Sequence, residues 1–150
     1  MTRFQSRWPA FTPALVCAIG LIALQTGSMQ AGGPDDEKPK LTIQIRPRTG
    51  FSPVRITATG QLEGGPDDYE EYYCTGVEWD WGDGTISEFS YDCDPYVAGT
   101  SEIQRSFRNS HTFTGAGEYE VRLRLKRKKA FLVTAATSVE VRPSLRDMIR

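Results

Sequence analysis

Histidine is almost absent: His111 is the only one in the 150-residue chain. One chain therefore has no means of building a histidine-based metal cluster, and imidazole acid–base chemistry has a single place to occur. Long apolar runs are missing as well. The 11-residue stretch from Ala14 to Leu24 would rise only about 16 Å as a helix, roughly half the hydrocarbon thickness of a bilayer. No segment sustains a helical period, which argues against a helical bundle. Cysteine is scarce, at three residues, Cys17, Cys74 and Cys93.

What is present at the N-terminus fits export. Arg3 and Arg7 precede the apolar run, so residues 1–31 read as a secretory leader rather than a spanning anchor. Met29-Gln30-Ala31 and Thr26-Gly27-Ser28 compete as cut sites, and either cut removes Cys17. Ala14-Leu15-Val16 before that cysteine is a poor lipid-attachment sequence. The expected address is secreted, periplasmic or cell-surface, with no membrane span after processing. Cys74 and Cys93 are then left in an oxidising compartment and are predicted to pair. They enclose 18 residues, so the bridge would contribute roughly 3 kcal/mol through the unfolded state.

Residues 32–40 are polar, charged and rich in proline and glycine, which predicts a flexible linker to a domain over 41–143 with a short tail at 144–150. Inside the domain the period is two. Leu41, Ile43 and Ile45 alternate with polar residues up to Pro47; after a turn at Thr49–Pro53, Val54, Ile56 and Ala58 do the same up to Gly60. Val77, Trp79 and Trp81 share one parity, while Glu78 and Asp80 share the other. This strand runs into Gly82-Asp83-Gly84, where the glycines permit positive φ and the aspartate can cap backbone N–H groups. A short strand is expected at Ile86–Tyr91 and an extended one over Ile103–Phe113. Tyr119, Val121, Leu123 and Leu125 give the clearest alternation, and Phe131, Val133, Ala135, Thr137, Val139 and Val141 supply the inward face of a last strand. About seven short strands argue for an all-β antiparallel sandwich, with an up-and-down barrel as the weaker alternative.

Several of these stretches resemble a known family. W-D-W-G-D-G at Trp79–Gly84, H-T-F at His111–Phe113, G-E-Y-E-V-R-L-R-L at Gly117–Leu125 and G-F-S-P-V-R-I-T-A at Gly50–Ala58 are together similar to the PKD (polycystic kidney disease) domain. The resemblance covers roughly Lys40 to Arg142 and implies an immunoglobulin-like β-sandwich that is not an enzyme. It implies structural roles for Trp79, Trp81, Gly82, Asp83, Gly84, His111 and Tyr119, with the His111 ring packed beside the glycine turn. The acidic tyrosine loop before Cys74, the segment around Cys93 and the cysteine pair depart from the family pattern.

Few residues carry candidate chemistry. Ser110, His111 and Asp83 can be written as a triad, but neighbouring strand residues point to opposite faces, so Ser110 and His111 diverge. Acids are plentiful, and calcium takes six to eight oxygen ligands that loop carboxylates can supply. Asp67, Asp68, Asp80 and Asp83 are the candidate calcium ligands, against the simpler readings of solvated loop acids and a turn cap. Residues 32–103 hold 15 acids and 5 bases, residues 104–150 hold 4 acids and 11 bases. Outward Glu78 and Asp80 are accordingly expected to face Arg122 and Arg124. Lys126 to Lys129 lie beyond such partners as a solvated hairpin tip rather than a nucleic-acid site. Tyr69, Tyr72, Tyr73, Tyr91 and Tyr96 cluster in the two loops joined by the expected bridge. They read either as a recognition surface or as padding of the sandwich edge. The resulting expectation is an exported, non-catalytic module that binds an extracellular or envelope protein or polysaccharide, with a ligand-free structural spacer as the alternative.

Overall fold

The computed structural model describes residues 38–145, 147 and 149. The expected leader and the first part of the linker lie outside these residues. Eight strands form among the described residues: β1 (Lys40–Arg46), β2 (Thr49–Phe51), β3 (Val54–Glu63), β4 (Gly76–Asp80), β5 (Ile86–Phe89), β6 (Ser106–Phe113), β7 (Gly117–Arg127) and β8 (Ala130–Arg142). A single 3-10 turn, Glu70–Tyr72, precedes β4. One sheet has the order β1-β3-β6 and the other β2-β8-β7-β4-β5. All pairings are antiparallel except that of β2 with β8.

Alternation is what packs the two sheets. Ile45, Ile56, Ala58 and Leu62 of one sheet and Val77, Trp79, Val121, Leu123, Leu125, Val139 and Val141 of the other are buried between them. Through the middle runs a row of rings. Trp79 stacks on Trp81 (5.5 Å between centroids), Trp81 on His111 (4.7 Å), His111 meets Phe113 edge-on (4.8 Å), and Phe113 stacks on Tyr119 (4.3 Å). The three sequence stretches that carry these rings are far apart in the chain, and the row is where they meet.

Four local expectations are corrected. The turn at Thr49–Pro53 contains a strand: β1 and β3 belong to one sheet, and the chain between them crosses to the other, where Thr49–Phe51 pairs with the β8 edge. Glu140 N–H donates to the Arg48 carbonyl and Ser52 N–H to the Arg142 carbonyl, both at 2.9 Å, so backbone groups of an otherwise open edge are satisfied. Gly60 does not end its strand. A Cβ there would come within 2.1 Å of Leu123 Cδ2, so the glycine is the place where a leucine from the opposite sheet packs onto the β3 backbone.

Phe131 is not on the inward face. A register irregularity between Leu125 and Lys126 pairs Leu125 with Val133 but Lys126 with Phe131. The extra residue moves Phe131 to the outer face, where it is 57% exposed. Arg124 and Lys126 lie over its ring there, at 5.6 and 5.7 Å. The ends of the domain are more ordered than their composition implies. Pro39 is buried, Lys38 pairs with Glu71 at 3.0 Å, and Lys40 already belongs to β1. In the tail, Ser144 N–H donates to Asp147 Oδ2 at 2.8 Å, and Ser52 Oγ also binds that carboxylate.

Candidate functional site

The turn after β4 is built by its own carboxylates. Gly82 N–H donates to Asp80 Oδ1 at 3.1 Å, and Asp83 Oδ1 accepts from Thr85 N–H (3.0 Å) and Thr85 Oγ1 (2.6 Å). Asp83 Oδ2 lies 2.7 Å from His111 Nε2. Burial alone would push the Asp83 carboxyl up, but the hydrogen bonds from Thr85 and His111 outweigh it and hold the group below its usual range. Gly82 has φ +81°, and a Cβ on it would sit 2.7 Å from the Glu120 carbonyl oxygen, so the turn presses on the β7 backbone.

The Asp83–His111 pair therefore has the look of a catalytic dyad, and its surroundings give it another task. The imidazole stacks on Trp81. Ser110, opposite Thr57 in the pairing of β3 with β6, has its hydroxyl 3.3 Å from the Thr57 hydroxyl, on the other face of the sheet. The pair ties the turn of one sheet to β6 of the other.

The four candidate calcium ligands are not brought together. Asp67 Oδ1 accepts from Arg105 Nε at 2.6 Å and Asp68 Oδ2 from Gly99 N–H at 3.1 Å. Asp80 pairs with Arg124 at 3.1 Å, and Asp83 is held as above. Arg105 meets Asp67 at the start of β6 while His111 meets Asp83 near its end, roughly 20 Å away along an extended strand. No group of three or more acidic, histidine or cysteine side chains able to hold a metal ion occurs among the described residues.

Outward Glu78 and Asp80 face β7 as their parity requires. Arg124 bridges them, at 2.6 Å to Glu78 and 3.1 Å to Asp80, and Arg122 lies 3.6 Å from Asp80. Lys126 belongs to the same network, at 2.7 Å from Glu78 and 2.6 Å from Glu88, because β5 brings Glu88 alongside Glu78. The hairpin tip is thus shorter in free charge than its sequence implies. Arg127 pairs with Glu70, leaving Lys128 and Lys129 as the tip residues without an ion-pair partner among the described residues.

Cys74 and Cys93 are disulfide-bonded, with Cα atoms 6.1 Å apart. Reduction is expected to lower the unfolding free energy by about 3 kcal/mol. Titration of thiols in the denatured, unreduced processed protein checks the pairing, and two reactive groups there would contradict it.

The five loop tyrosines separate by role. Tyr72, only 4% exposed, is a core residue and is removed from the binding set; it meets Tyr69 edge-on at 5.5 Å. Tyr73 donates its hydroxyl proton to the Asp94 carbonyl at 3.0 Å, and Tyr96 donates to the Asp68 carbonyl at 2.6 Å. Their rings meet edge-on at 5.6 Å. These groups hold the two loops together. Tyr91, at 46% exposure, is the one presented to solvent. A loop long enough to return across its partner can bury a tyrosine, and local composition does not encode that return.

Sequence reasoning missed the feature beside Tyr91. β5 ends one sheet and β6 ends the other, and no strand forms between Phe89 and Ser106 to close the sandwich on that side. A cleft of about 160 Å³ opens there. Val77, Trp79 and Phe107 are its buried lining, and Phe89, Tyr91, Gln104 and Arg108 its exposed lining. The only sequence signal was the long interval without alternation between Phe89 and Ser106.

The connectivity decides the architecture. A buried tryptophan sits on β4, and Tyr119, at the start of β7, donates its hydroxyl proton to the Gly115 carbonyl at 3.0 Å, the corner typical of one class of sandwich. The chain is an immunoglobulin-like β-sandwich. No family model and no curated protein matches its sequence. Solved structures similar to it include a PKD domain of an M14-like peptidase from a Thermoplasmatales archaeon. That match has 16% identity and a TM-score of 0.48, and covers 72% of this chain and 98% of that one. Also similar is the CARDB domain of a Pyrococcus furiosus protein, by solution NMR at 19% identity, a TM-score of 0.42, and 70% and 96% coverage. Its crystal structure in complex with di-metal ions gives 17% identity, a TM-score of 0.42, and 70% and 94% coverage. No helix among the described residues is long and apolar enough to cross a membrane.

Proposed function

We propose that this protein is an exported, non-catalytic immunoglobulin-like module that binds an extracellular or envelope protein through the open edge between β5 and β6. The observation that carries this reading is the cleft beside Tyr91, where Phe89 and Tyr91 stand exposed over a lining that includes Trp79 and Phe107. A slot with aromatic walls and a polar arginine and glutamine at its mouth suits one inserted side chain of a partner, with hydrogen bonds around it. Tyr73 and Tyr96 serve this site indirectly, by fixing the loops that flank it. The disulfide fits an oxidising compartment.

The test separates a binder from a spacer. Tyr91→Ser is expected to leave the melting temperature nearly unchanged, as surface substitutions usually do, while abolishing retention of the partner from the native extracellular fraction. Tyr72→Ser is expected to lower the melting temperature, because it empties a core position. Retention undiminished in a folded Tyr91→Ser, Phe89→Ser double variant would refute the site and leave the spacer reading in its place.

A further inference from the structure

The outer face of the three-stranded sheet gathers polar side chains and arginines that have no acidic partner. Strand pairing sets Gln44, Thr59 and Arg108 in one row across β1, β3 and β6, and Arg46, Thr57 and Ser110 in the next. Gln44, Arg46, Thr57, Thr59 and Arg108 line an open groove of about 500 Å³ with no carboxylate among them. Arg46 and Arg108 have no ion-pair or hydrogen-bond partner among the described residues, nor does Arg55, which neighbours Thr57 on the same face. By contrast Arg105, Arg122, Arg124, Arg127 and Arg142 all pair with acids, and Arg48, between β1 and β2, is the other arginine with no side-chain partner among the described residues. In a chain whose acids outnumber its bases, three guanidinium groups left free on one face are a concentration of unspent charge.

We propose that this groove is a second binding site, one for an acidic polysaccharide bearing carboxylates. The planar guanidinium fork matches a carboxylate with two parallel hydrogen bonds. The threonine hydroxyls and the glutamine amide between the arginines donate and accept, as the hydroxyls of a sugar require. Arg46 and Arg108 lie two strand spacings and one row apart, roughly 12 Å between Cα atoms, so acidic units along one polymer can engage each of them. A peptide is a poorer occupant because the groove offers no apolar pocket for an anchor residue. A nucleic acid is poorer because no aromatic ring lines the groove for bases to stack on. This site is independent of the cleft at the sandwich edge except for Arg108, which borders both.

The full processed chain and polygalacturonate as probe provide the test, read by calorimetry at low and moderate salt. The wild type is expected to bind, more weakly as salt rises, and fully methyl-esterified polymer is expected not to bind. Arg46→Ala and Arg108→Ala should each weaken binding about tenfold, the scale of a lost charge-assisted contact. Arg46→Lys, which keeps the charge and loses the fork, should fall between Arg46→Ala and wild type. A Lys128→Ala, Lys129→Ala variant removes twice the charge of either arginine variant elsewhere and should bind like the wild type. Melting temperatures matching the wild type exclude misfolding as the cause. Absence of wild-type binding overturns the proposal, as does an equal loss in the Lys128/Lys129 variant. Tighter binding of polyglutamate or of a single-stranded oligonucleotide overturns the assignment to a sugar.

Discussion

Trp79→Ala is expected to lower the unfolding free energy by about 3–5 kcal/mol, the range for emptying a large buried aromatic site. The residue is 1% exposed and starts the ring row that continues through Trp81 and His111 to Phe113 and Tyr119. Removing it deletes the transfer free energy of an indole and unsupports one face of Trp81. Neighbours on rigid strands of two sheets relax little, so most of the cavity remains. Urea denaturation followed by fluorescence reads the effect as a lower midpoint at an unchanged slope. A loss of much of a typical domain's stability from one side chain is the signature of a core centre. A loss below about 1 kcal/mol, the ordinary mutational effect, would mean that the row is not what joins the sheets.

Acid lability should come from Glu78. Hydrogen bonding by Lys126, with Arg124 as the next charged donor, holds its carboxyl at about 2 despite a burial that pushes the other way. Because the folded value lies below the unfolded one near 4.5, the folded state binds the proton less readily than the unfolded state. The stabilisation is therefore fully present above about pH 4.5 and is lost progressively as pH falls towards 2, amounting to roughly 3 kcal/mol in all. Chemical denaturation at neutral pH and near pH 2.5 measures this difference. Glu78→Ala should cost about 3–5 kcal/mol at neutral pH, because two cations lose a buried partner. Glu78→Gln should flatten the acid limb while keeping the side chain's shape. If the glutamine variant lost stability with acid as steeply as the parent, another carboxylate would be responsible.

This network was half legible. The parity of Val77 to Trp81 put Glu78 and Asp80 outward, and the parity of β7 put Arg122 and Arg124 opposite them. The inclusion of Lys126 was not legible, because Glu88 arrives from β5, a strand expected from the sequence whose register against β4 is not written there. Phe131 shows the same limit from the other side. Its position in an alternating run is inward, and one extra residue at the hairpin end of the β7–β8 pair reverses it. A bulge leaves no composition signal in so apolar a stretch. The tyrosines mark a third case, since Tyr72 and Tyr91 occur in equally polar loops and only one of those loops folds its ring into the core.

Period-two alternation, the glycine-aspartate turn and the near absence of histidine determined the all-β architecture, the buried indoles and the lack of a histidine metal cluster. Each of these depends on residues adjacent in the chain, where side-chain direction follows from backbone geometry alone. The tertiary structure decided the partners across sheets and loops: the ring row as a whole, the Arg105–Asp67 tie, the open edge beside Tyr91 and the free arginines of the outer face. Those depend on register between strands dozens of residues apart, which is fixed by how two apolar faces interlock and is written in no single stretch of sequence.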